Sequence, residues 1–113
     1  MTTKLLKVNG AEHPAEFIRF RENDFTHGRR STVTILTRKS YAEVLELFSN
    51  PGDWSVIERN EKSPELNTEI DCTDYCKLLN IKDTRTGVLE VVMSKMTDSE
   101  VLAELLEELN DEA

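Results

Sequence analysis

The sequence predicts an α+β fold: a single small domain over residues 1–113, with a mostly antiparallel sheet, a short middle helix and a C-terminal amphipathic helix. Three observations predict it. Short runs rich in β-branched residues alternate in polarity, as in "STVTILT" at 31–37; turn signals such as Asn9-Gly10 separate them; and two capping boxes each open an apolar stripe at helical spacing. The expected order is ββ(β)αββββα. A chain of 113 residues and 13.0 kDa suits one core that removes roughly two thirds of the unfolded surface from water.

The stretch "KLLKVNGAEH" forms the first hairpin, because Asn9-Gly10 supplies the positive φ that both central positions of a type I′ turn require. Its second strand is expected to run to about Arg21, with Ile18 and Phe20 on one face and Phe17, Arg19 and Arg21 on the other. "ENDFTHGRR" interrupts the alternation and reads as a loop. In "STVTILT", Val33 and Ile35 face the core and Thr32 and Thr34 the opposite side. Ser40 with Glu43 makes a capping box, after which Tyr41, Val44, Leu45 and Phe48 form one stripe that "NPGD" ends. Trp54 to Arg59 reads as a strand and "NEKSPE" as a polar turn.

The next strand, "LNTEIDCT", places Leu66, Thr68, Ile70 and Cys72 on one face, so that Cys72 is expected as a small buried hydrophobe beside Leu66 and Ile70. "CKLLNIKD" and "GVLEVVMSK" flank "TRTG" as a hairpin that buries Leu89, Val91 and Met93, with Gly87 at positive φ. Thr97 with Glu100 makes the second capping box. Val101, Leu102, Leu105, Leu106 and Leu109 then form the stripe of a terminal helix, which either covers the domain's own sheet or meets a neighbour.

Charge and composition narrow the function. The net charge is −8, but residues 1–39 hold eight Lys/Arg against four Asp/Glu, and the remainder six against eighteen, giving +4 and −12. Such asymmetry favours association of like subunits or docking of one partner, and the acidic total argues against sequence-independent nucleic-acid binding. No window approaches the ~20 apolar residues of a bilayer span, so a soluble chain without a cleaved signal or a membrane partner is expected. Two cysteines in that setting read as reduced thiols and not a disulfide.

No cofactor is called for. A zinc site would need Cys72, Cys76, His13 and His27 to converge from three segments, and C-x₃-C is not the usual knuckle spacing. A thiol nucleophile would need a neighbouring imidazole, and His13 and His27 read as solvent-side; Asp71 and Asp74 read as solvated carboxylates rather than an acid/base pair. No catalytic or metal-ligating residue is therefore assigned. The remaining candidate is a basic, aromatic-bearing surface of Arg29, Arg30, Phe25, Arg19 and Arg21, with Arg38 and Lys39 nearby, suited to phosphates or, with more weight, to the acidic surface of another protein subunit.

These pieces also carry a resemblance. The "VNG" hairpin, "DFT" before a basic loop, the "LF…W" segment, "IDCTDYC", Ile81-x-Asp83-x-Arg85-x-Gly87, the "VVMSK" strand and Thr97-x-x-Glu100 opening an acidic helix together resemble small proteins of phage and prophage tail-gene clusters. The resemblance spans nearly the whole chain, and its motifs are structural rather than catalytic. It implies a virion or assembly component made in the host cytoplasm, present in the virion if structural, and acting through protein contacts. Its partners would be copies of itself, in or on a symmetric ring, or other tail components. Two alternatives stand beside it: an acidic inhibitor that mimics nucleic acid, and a small enzyme.

Overall fold

The computed structural model describes residues 2–25, 30–84 and 86–111. Its first hairpin joins β1 (Thr2–Val8) to β2 (Ala11–Pro14) through Asn9 at φ 51° and Gly10 at φ 85°, with Val8 opposite Ala11. Both values lie in the left-handed region that the turn demands. β1 pairs on its other side with β5 (Trp54–Asn60), which in turn pairs with β6 (Thr68–Asp71).

The strand expected to run unbroken to Arg21 is divided. Ala15 donates its N–H to Lys4 O in the first sheet, whereas Glu16 donates to Leu36 O in a second sheet, so the chain changes sheets between them. Pro14, which has no N–H to offer a ladder, closes the first segment. Beyond the corner run β3 (Phe17–Asp24) and β4 (Arg30–Thr37); their pairing breaks at a bulge over Glu22 and Asn23 and resumes with Asp24 opposite Arg30, within the stretch expected to be a loop. The remainder of that loop, Thr26 to Arg29, lies outside the described residues.

The second sheet is completed by β7 (Lys77–Asp83) and β8 (Leu89–Ser94) in the order β3-β4-β8-β7, and the first has the order β2-β1-β5-β6. Among the described residues the fold is α+β, with eight strands in two antiparallel sheets instead of the one expected, and two helices. Gly87 sits at φ 77° in the β7–β8 turn, as its position before a strand predicts; Arg85 lies outside the described residues.

Leu6, Val8, Trp54 and Val56 from the first sheet meet Val33, Ile35, Val91 and Met93 from the second in one core. The short helix α1 (Tyr41–Phe48) contributes Val44 and Phe48, and Phe48 meets Trp54 edge-to-face with ring centroids 5.5 Å apart. Its capping box is present: Ser40 Oγ accepts from Glu43 N, and Glu43 Oε1 accepts from Ser40 N. Tyr41 is exposed, so the buried stripe is narrower than the pattern suggests.

Two expectations of burial fail. Leu66 and Ile70 were placed on the core face with Cys72, yet both are exposed. Leu66 belongs to a 3₁₀ turn (Pro64–Leu66), and Ile70 to the edge strand β6, none of whose residues is buried. Cys72 is fully buried because the chain turns inward after Asp71, where Cys72 N donates to Trp54 O at 2.8 Å.

The second helix, α2 (Asp98–Asp111), does not cover either sheet: residues 101–109 are all exposed. With extents of 56 × 35 × 26 Å and a radius of gyration of 15.7 Å, the molecule exceeds the roughly 13 Å of a round domain of this length. A helix projecting from a two-sheet body accounts for the difference.

Candidate protein-contact site

α2 is fixed at its root. Thr97 Oγ1 accepts from Glu100 N at 3.3 Å and Glu100 Oε1 accepts from Thr97 N at 3.0 Å, the reciprocal pair that satisfies two N–H groups at a helix start. The same carboxylate pairs with Arg30 Nη1 at 2.8 Å and with the Lys77 ammonium. Arg30 opens β4 and Lys77 opens β7, so Glu100 ties the helix across two strands of the second sheet. Lys95 N, donating to Ser31 O, extends that attachment to the end of β8.

Because Glu100 faces the body, the positions about half a turn away face solvent. Val101, Leu102, Leu105, Leu106 and Leu109 are 44%, 57%, 52%, 51% and 64% exposed. This is a contiguous apolar stripe, of the kind that marks a protein-contact surface when a soluble fold leaves it uncovered. At 100° per residue, Glu104 and Glu108 border one side of it. A cavity of about 570 Å³ is lined by Cys76, Leu78 and Met96 and, from α2, by Glu104.

Of the basic surface expected from the sequence, Arg30, Phe25, Arg19 and Arg21 lie among the described residues. Arg30 is engaged by Glu100 of its own chain and is one-fifth exposed. Arg29 lies outside the described residues. Phe25, at the end of β3, is 76% exposed. Arg19 and Arg21 are exposed on the outer face of the second sheet, with Phe17, as the alternation of β3 predicts.

Across that face, Arg19 pairs with Thr34 and Thr34 with Val92, while Phe17 pairs with Leu36. These strands form a groove of about 260 Å³. Lys4 adds a third cation, its Nζ 5.4 Å from the centre of the Phe17 ring. Two acids line the groove: Asp24 accepts from the Thr32 hydroxyl at 2.9 Å, and Glu90 stands opposite Lys82 in the register. The Phe-Arg-Arg face was legible in the sequence; its grooved shape and the ion pairs of Glu100 were not, since both depend on strands distant in the chain.

The "DCTDYC" segment is a built turn. Asp71 Oδ1 accepts from Thr73 N at 3.0 Å and from Thr73 Oγ1 at 2.6 Å, hydrogen bonds that lower the Asp71 pKa, and Trp54 Nε1 donates to Tyr75 O at 3.0 Å. Burial, with the Asp71 charge behind it, pushes the Cys72 thiol up to about 12. Such a thiol stays protonated near neutral pH and is a poor nucleophile. Cys76 is exposed, and neither cysteine forms a disulfide.

His13, expected at the solvent, is partly buried near Lys39 and Glu43, and burial lowers its pKa. Among the described residues no group of three or more His, Cys, Asp or Glu side chains is arranged to hold a metal. No described helix is long and apolar enough to cross a membrane. Comparisons of the chain with protein-family models, with curated proteins and with solved structures find no match.

Proposed function

We propose that the protein is a phage-type structural or assembly component that works by binding protein, with α2 as its principal contact element. The observation that carries the reading is the exposed stripe from Val101 to Leu109 on a helix whose root is fixed by Glu100. An apolar surface of this kind loses roughly 25 cal/mol of favourable free energy per Å² for as long as it faces water, and a partner recovers it. The phage assignment rests on the sequence resemblance. It places synthesis in the host cytoplasm and the working form in or on a particle, next to copies of itself or other tail proteins.

A second reading, a nucleic-acid mimic, has in its favour the acids Glu104, Glu107 and Glu108 on the same helix. The leucines beside them favour the protein-contact reading, because a phosphate-backbone mimic gains nothing from exposed apolar side chains. Particles purified from a producing strain test the proposal. The chain is expected in the particle fraction, and the variant Leu105→Asp/Leu109→Asp is expected to leave it for the free pool. A chain absent from particles that instead inhibits a nucleic-acid-binding enzyme in proportion to its helix acids would replace the reading with the mimic.

A further inference from the structure

We propose that the surface receiving α2 is the groove on the outer face of β3, β4 and β8 in a second copy of this chain, so that copies join head to tail. The inference rests on the protein-contact reading of α2 and names its partner. Charge decides first. α2 carries Asp98, Glu100, Glu104, Glu107, Glu108 and Asp111 and no base, so two such helices laid side by side repel. Of the groove's two acids, Asp24 is buried and accepts from Thr32, and Glu90 stands opposite Lys82; Arg19 and Arg21 are exposed, with Lys4 over the Phe17 end, and neither arginine forms an ion pair among the described residues, so the exposed charge is of the opposite sign.

Spacing decides next. Glu104 and Glu108 are four residues apart on a helix, about 6 Å along its axis. Arg19 and Arg21 are two residues apart on a strand, about 6.7 Å. The two pairs therefore match in pitch when the helix lies along β3. The lengths match as well: α2 of 14 residues spans about 21 Å and β3 of 8 residues about 26 Å. The leucine stripe then falls on Phe17 and Leu36, which pair across β3 and β4 and are the apolar members of that face not fully buried.

The helix cannot reach its own groove in this way while Glu100 holds Arg30 and Lys77, because that attachment turns the stripe away from the body. The contact uses different patches on the two copies, so it is heterologous and repeats until a ring closes or a filament extends.

Two full-length variants test this by light scattering: Arg19→Glu/Arg21→Glu, which spoils the groove, and Leu105→Asp/Leu109→Asp, which spoils the helix. Each is expected to run as a single chain, and their equimolar mixture as a dimer that does not grow, since one intact helix meets one intact groove. A groove variant that still self-associates, or a helix variant that does, overturns the proposal; so does a mixture that stays monomeric. Wild type that is monomeric also overturns it, while particle association of that monomer would leave the protein-contact reading standing. Circular dichroism establishes that each variant folds. Adding Glu104→Arg/Glu108→Arg to the groove variant supplies a check independent of misfolding: self-association is expected to return, and its failure to return counts against the pairing.

Discussion

Cys72 and Cys76 lie four positions apart and occupy opposite environments, one fully buried in the core and the other exposed. Burial holds the Cys72 thiol protonated far above its ordinary 9.0, so alkylation at about pH 8 is expected to modify Cys76 alone until denaturant is added. Peptide mass spectrometry reads the two sites separately, and equal labelling of both in the folded protein contradicts the assignment. Gly87 offers a cleaner residue-scale test. A Cβ there meets nothing within 4 Å, so the cost of Gly87→Val comes from its φ of 77° and not from a clash. A loss of more than about 1 kcal/mol is expected in urea unfolding, and an unchanged midpoint argues against a strained turn. Sequence reading succeeded at Gly87 because the constraint is local. It failed at Ile70 because alternation names a face but not whether a second layer covers it.

At the scale of elements, the capping boxes and the Asn9-Gly10 hairpin were legible because their determinants lie within four residues of each other. The corner at Ala15 and Glu16 was not, since it depends on Lys4 and Leu36. α2 shows the same division: its stripe is plain in the sequence, whereas its exposure is a tertiary fact. The account predicts that Thr97→Ala costs α2 about 1 kcal/mol by removing its cap. Hydrogen exchange is expected to quicken in α2 while β4 and β8 stay protected, and uniform acceleration would mean that the helix supports the whole fold. In the core, Phe48→Ala is expected to cost about 3–5 kcal/mol, because it empties the contact with Trp54 at the centre of both layers.

Across the whole molecule, three exposed carboxylates tie stability to pH. The Arg59 guanidinium, reaching across β1 to β2, lowers the Glu12 pKa; the Ser40 N–H and hydroxyl lower that of Glu43; Thr73 lowers that of Asp71. Each is a carboxylate depressed on folding. Its contribution is present above the ordinary values of 4.5 for Glu and 3.8 for Asp, and is lost as pH falls through the folded values. The melting temperature is therefore expected to decline as pH drops below about 4.5, and a flat profile there would remove these pairs from the account. Two antiparallel sheets around one core explain the body of the molecule, but they leave α2 outside it with its leucines in water. The account's central claim is that this helix is covered by a second copy of the chain. Light scattering of wild type and Leu105→Asp/Leu109→Asp over rising concentration measures it most directly. The prediction is a wild-type mass that climbs above the 13.0 kDa of one chain and a variant that stays there; identical masses for the two at every concentration would contradict self-association through α2.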